Sequence, residues 1–182
     1  MTFEALAKQG QETVYQSLAA SIGPRIRDIR KESIKESFNG FQQVDHRLET
    51  VVIIKDMEFI NDSKSSTLNS TWYALENTSR PIIWIVGGVE SGNDYAILRH
   101  LVRTKVKGII CLGTGTSRIH EAFDDIDIPI TNALTMDEAV QNAYYMGNSG
   151  DAILLSPACP SFDLFKDYEA RGNAFRKAVK NL

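Results

Sequence analysis

The 182-residue sequence predicts an α/β domain: a three-layer α/β/α stack around a six-stranded, mostly parallel sheet, preceded by a short helical segment. Three observations carry that prediction. Apolar runs at Pro81 to Val86, Gly108 to Leu112 and Asp151 to Leu155 are short and continuous, as strands covered on both faces must be. Amphipathic stretches with helical spacing alternate with them through short loops, the pattern of a doubly wound, Rossmann-like sheet. The loops after the strands, 62–67, 87–94, 113–117 and 156–161, are rich in small polar residues, and in such sheets these loops build the binding crevice.

Residues 1–45 read as helical. Tyr15, Leu18, Ala19 and Ile22 recur at i, i+3, i+4 and i+7, Gly23-Pro24 interrupts the run, and Ile34, Phe38 and Phe41 make a second stripe that Asn39-Gly40 ends. Each stripe needs a partner, and without one these faces offer a self-association surface. The second unit runs from 46 to 182. Thr50 to Lys55 and Met57 to Asn61, parted at Asp56, read as a hairpin or two closely linked strands, the first antiparallel. Leu68, Trp72 and Leu75 mark a helix capped near Ser66 or Thr67. After the strand at Pro81 come a helix from Tyr95 to Lys105, the strand at Gly108 and a short helix from Ser117 to Phe123. Pro129 to Asn132 is a weak strand, and Thr135 caps a helix through Met146. The last strand, Asp151 to Leu155, breaks at Pro157 and Pro160. The chain then restarts as a helix with Ser161 as N-cap and Phe165, Tyr168, Gly172, Phe175 and Val179 on one face.

Bulk composition narrows the function classes. With 43% apolar residues the chain buries a full core, and a net charge of −3 without long runs of one sign gives no reason to invoke nucleic acid or an acidic membrane. No apolar run approaches 18 residues and no leader pattern opens the chain. Cys111 and Cys159 at predicted strand ends read as small buried thiols, consistent with a reducing, cytoplasmic setting.

The chemistry therefore lies in the loops. Asn61-Asp62-Ser63-Lys64-Ser65-Ser66-Thr67 sets a cation and several hydroxyls between a strand and a helix start, which suits an anion as well as a plain capped loop. Ser161, at a predicted helix start, suits a carboxylate or phosphate in the same way, or simply caps. Gly87 to Asp94 is glycine-rich but is not a dinucleotide fingerprint, and Gly113 to Ser117 lacks the lysine of a phosphate loop. His100 and His120 read as helix-surface residues, and no spacing suggests a metal cage. Cys159 beside a helix start is a conceivable nucleophile, with a structural thiol as the alternative.

These motifs, taken in order, carry a resemblance. Phe59-Ile60-Asn61-Asp62-Ser63-Lys64, Gly87-Gly88 with Gly92-Asn93-Asp94, Leu155 to Asp163, Phe165-Lys166 and Glu169-x-Arg171-Gly172 resemble the C-terminal domain of the Mur ligases, most of all the D-glutamate-adding branch. His46-Arg47-Leu48-Glu49 resembles the segment that opens that domain, and residues 1–45 resemble the closing helices of the family's central domain. The resemblance implies a six-stranded mixed sheet that holds the incoming amino acid. It also implies an ATP- and magnesium-dependent reaction in peptidoglycan precursor synthesis, in which a carboxylate is phosphorylated and the D-glutamate amine attacks the acyl phosphate. By motif, Ser161, Phe162, Tyr168, Ser66 and Ser91 would line the amino-acid site. Lys64 and Asp62 would face nucleotide and acyl phosphate, and Arg47 would approach ATP.

Three departures qualify this. The family's glycine-rich loop carries Asp-Lys where this chain has Glu90-Ser91, and a lost charge-assisted bond costs about 1.5–3 kcal/mol. Glu12, Thr13 and Gln16 replace residues that meet adenine in the family. The chain also has no Gly-Lys-Thr/Ser phosphate loop, so alone it should turn over no ATP. Two functions are expected from this: the amino-acid-binding domain of a D-glutamate ligase, inactive without the central and N-terminal domains, or a ligase-derived module binding a small anion or a protein.

Overall fold

The chain divides into two compact units, Met1–Asn39 and Gly40–Leu182. The computed structural model describes residues 45–87 and 92–182, all in the second. The predicted N-terminal helices, with their self-association surface and Glu12, Thr13 and Gln16, lie outside the described residues, as does Glu90-Ser91.

Six strands form one sheet in the order β1-β2-β6-β3-β4-β5. They are β1 (Glu49–Ile54), β2 (Met57–Asn61), β3 (Ile82–Val86), β4 (Val106–Leu112), β5 (Ile130–Ala133) and β6 (Ala152–Leu155). β1 is antiparallel to β2 and the other pairings are parallel, as the sequence predicts. The tight turn between β1 and β2 places Lys55 and Asp56 at φ of 48° and 63°. Period-2 alternation sorts β3 between two cores. Ile83 and Ile85 join Phe59, Ile110, Ile153, Val140 and Phe175 beneath two helices, while Trp84 faces the opposite layer, edge-on to Phe123 at 6.0 Å.

The helices are α1 (Leu68–Asn77), α2 (Arg99–Lys105), α3 (Ser117–Phe123), α4 (Met136–Met146) and α5 (Tyr168–Lys180). Thr67 caps α1 in a reciprocal box with Ser70, and Thr135 caps α4 by accepting from the Glu138 N–H. Two predicted helices are corrected. Tyr95–Leu98 is a 3-10 turn rather than the first turn of α2, because Asp94 accepts from the Ala96 N–H and tightens the entry. The closing helix starts at Tyr168, not Ser161: Asp167 caps it, its carboxylate accepting from Ala170 N–H at 2.7 Å. Residues 161–167 keep one helix-like bond, Phe165 N–H to Ser161 O at 2.9 Å. Arg171 holds the carbonyls of Cys159 and Pro160, so the chain is fixed before it can enter the helix axis at Ser161.

Candidate functional site

β6 lies between β2 and β3, although the chain reaches it last. The loop after β6 leads to a helix packed with α4, whereas the loops after β2 and β3 lead to the α1 and α2 layer. Loops that part at neighbouring strand ends leave a crevice between them.

The loop after β2 folds back on that crevice. Asp62 N–H donates to Leu155 O at 2.8 Å, Ser65 N–H to Asp62 O at 2.9 Å, and Ala158 N–H to Ser65 O at 3.0 Å. These bonds lock two loops together. The Asp62 carboxylate is fully buried, accepting from Leu48 N–H at 3.2 Å and lying 2.8 Å from Ser156 Oγ, which is also 3.0 Å from Thr71 Oγ1. Burial pushes its pKa up to about 6, against the pull of serine hydroxyls, the Arg47 charge and the Leu48 N–H. Asp62 therefore anchors the Arg47–Leu48 segment and presents no surface of its own.

A second lock joins this loop to α5. Arg171 is 1% exposed; its Nη2 donates to Ser63 O at 2.8 Å, its Nε to Ser63 Oγ at 3.1 Å, and its Nη1 to Cys159 O at 3.0 Å and Pro160 O at 3.2 Å. Ser63 Oγ donates to Tyr168 O at 2.7 Å. One guanidinium thus ties both crevice loops to the helix, using its fork of donors where a lysine would reach fewer acceptors. Asn61 Nδ2 lies 2.8 Å from His46 Nδ1, so Asn61 donates and the ring nitrogen accepts, which fixes the neutral tautomer with its proton on Nε2. Burial and then the Arg176 charge lower the His46 pKa in agreement. A side chain on Gly172 would collide with that ring, which explains the glycine inside a helix. Glu49 completes the cluster: burial opposes its charge, but hydrogen bonds from Arg176 and the His46 N–H hold its carboxyl below the usual range.

The β3 side closes on the same loop. Gly87 N–H donates to Pro157 O at 3.0 Å, Cys159 Sγ lies 2.8 Å from Gly87 O, and Asn93 Nδ2 donates to Ala158 O at 2.8 Å. Gly87 has φ of 113°, and a Cβ there would sit 2.6 Å from Leu112 O, so this position needs glycine.

The sequence-predicted site residues distribute as follows. Lys64 and Ser66 lie on the loop after β2, Lys64 half-buried with its Nζ 5.6 Å from the Tyr168 ring centre and Ser66 exposed. Ser161 is 4% exposed, Phe162 is 76% exposed, and Tyr168 opens α5. Arg47 is buried beside Asp62. Ser91 lies outside the described residues. Cys159 is buried and nine residues ahead of the true helix start at Tyr168, so the helix terminus expected beside it is not there. Among the described residues no three His, Cys, Asp or Glu side chains gather as a metal site. Also among them, no helix is long and apolar enough to cross a membrane.

The sequence motif gives Arg171 no role of its own. Its signal was position: it falls between Tyr168 and Phe175 on the apolar stripe of α5, where a charge is out of place unless it is paired.

Comparison with known proteins agrees with this architecture. Residues 46–159 match the family model for the Mur ligase, glutamate ligase domain. The whole chain is 46% identical to UDP-N-acetylmuramoylalanine--D-glutamate ligase of Porphyromonas gingivalis and 47% identical to that of Christiangramia forsetii, covering 40% and 41% of those proteins. The Salinibacter ruber ligase of the same name is 40% identical over 182 residues. The chain spans less than half the length of these curated relatives. Among solved structures, a murein peptide ligase from Psychrobacter arcticus superposes with a TM-score of 0.54 at 13% identity, over 81% of this chain and 32% of that one. A single domain from Haemophilus ducreyi gives 0.52 at 13% identity, covering 74% of this chain and 98% of its own. At that identity the likeness concerns the fold.

Proposed function

From the premise that the chain belongs to the Mur ligase family, we propose that residues 46–182 are the amino-acid-binding domain of a UDP-N-acetylmuramoylalanine--D-glutamate ligase in peptidoglycan precursor synthesis. The observation that carries the proposal beyond family membership is the locked corner between the loops after β2 and β6. There the Lys64 Nζ lies 5.6 Å from the Tyr168 ring centre, and Asp62 and Arg171 tie together from beneath the two loops that carry Lys64 and Ser66 on one side and Ser161 on the other.

In this reading the Lys64 ammonium meets the anionic centre of the reaction, an acyl phosphate or carboxylate, as a point charge. Ser161 and Ser66 offer hydroxyls to the carboxylates of D-glutamate, and Phe162 supplies the apolar wall. Arg47, set by Asp62, faces the nucleotide. ATP, with magnesium, supplies the phosphoryl group that activates the partner carboxylate. The phosphate loop for that step belongs to the rest of the ligase, so this chain by itself turns over no ATP. Ser91, in place of a lysine, leaves the side-chain carboxylate of glutamate to weaker donors.

D-glutamate titrated into the chain and followed by amide NMR tests the proposal. Saturable shifts at Lys64, Ser66 and Ser161 in the millimolar range are expected, with Ser91→Lys tightening binding by about tenfold or more. Shifts confined to other faces of the sheet would contradict it.

A further inference from the structure

The motif reading puts Tyr168 against the amino acid; its surroundings point elsewhere. The Tyr168 ring centre lies 5.6 Å from Lys64 Nζ, within the range in which a ring face holds an ammonium. The ring meets His46 edge-on, with centroids 6.3 Å apart and planes at 80°. His46 is fixed by Asn61 at 2.8 Å, and the Tyr168 carbonyl by Ser63 Oγ at 2.7 Å. The Lys64 backbone is equally tied, its N–H donating to His46 O at 3.0 Å and its carbonyl accepting from Ser66 N–H at 2.9 Å. A flexible four-carbon stem therefore rises from a fixed backbone toward a fixed ring. The phenol hydroxyl turns away, donating to exposed Glu169 at 3.2 Å.

We propose that Tyr168 is a positioning residue that acts through Lys64: its ring face gathers the lysine rotamers into the one that points the ammonium over the crevice. A lysine side chain has many rotamers to lose, and an ammonium already held in place meets its anion without that loss. The inference rests on the proposed ligase reading for its consequence in the reaction, but not for the contact itself. Only the aromatic face is needed, so phenylalanine serves as well as tyrosine and an aliphatic residue does not.

Two measurements separate the contact from the reaction. In the 182-residue chain, the Lys64 ε-CH2 signals are expected upfield of ordinary lysines from the ring current. They should stay so in Tyr168→Phe and return to the ordinary position in Tyr168→Leu, with amide signals elsewhere retained. Unshifted signals in the parent chain would overturn the proposal whatever the function. In a ligase carrying this domain, Tyr168→Leu is expected to lower kcat by about three- to tenfold with the D-glutamate KM little changed, and Tyr168→Phe to restore it. A raised KM with unchanged kcat would make Tyr168 a direct substrate contact and overturn the proposal while leaving the ligase reading intact. A folded enzyme with no D-glutamate-dependent turnover would overturn both.

Discussion

Asp62 is the residue whose titration reports on the locked corner. Its pKa rises from 3.8 to about 6 on folding, chiefly by burial, so the native state keeps a proton that the unfolded chain releases first. The stabilisation this gives is fully present below about pH 4, declines as pH rises and is gone above about pH 6, an amount on the order of 3 kcal/mol. His46 has a lowered pKa and pulls the other way near pH 6, so the comparison must isolate Asp62. Denaturant midpoints of the parent chain and Asp62→Asn, taken at pH 4.5 and 7, do that. The parent should lose stability relative to the variant at the higher pH; a gap independent of pH would contradict the assignment. Gly172→Ala is expected to destabilise by about 1–3 kcal/mol, because the new methyl must displace the His46 ring from Asn61. Thermal unfolding of the variant checks it, and an unchanged midpoint would mean that the ring moves freely.

Among the elements, the strands were the most legible from sequence, and for a physical reason. β3 and β6 are buried on both faces, so their runs are apolar without interruption, and alternation then decides only which core each residue joins. The closing helix was legible in its stripe but not in its start. Ser161 and Asp167 are both good caps, and the choice between them is made by Arg171 binding carbonyls of Cys159 and Pro160, a contact between residues distant enough that local pattern cannot show it. The candidate site divides in the same way. Lys64, Ser66 and Ser161 stand out as polar residues in loops. By contrast Arg171, Asn61 and Ser156 act by what they touch across the sheet, and sequence spacing carries no such distances. The two caps give a direct prediction. Asp167→Ala should cost about 1 kcal/mol of stability, while Ser161→Ala, which removes no cap, should leave the unfolding midpoint nearly unchanged. Equal losses in chemical denaturation would restore Ser161 as the helix start.

For the molecule as a whole, the sheet order explains why the proposed site gathers where it does. Because β6 enters last between β2 and β3, three loops from distant parts of the chain meet at the carboxyl ends of three neighbouring inner strands, and two buried ionic side chains, Asp62 and Arg171, hold them in register. Leaving a buried neutral acceptor without its donor costs about 1–3 kcal/mol, and Arg171→Ala strands the acceptors of Ser63, Cys159 and Pro160 together, so it should loosen the crevice and lower the denaturant midpoint of the chain. The chain covers 40% of the Porphyromonas gingivalis ligase, in the region where the two are 46% identical. The central claim is tested most directly by exchanging residues 46–182 for the matching region of the Porphyromonas gingivalis enzyme and measuring ADP release. The account predicts release that requires D-glutamate and is lost in Lys64→Met. A folded chimera whose ADP release is indifferent to D-glutamate would contradict it.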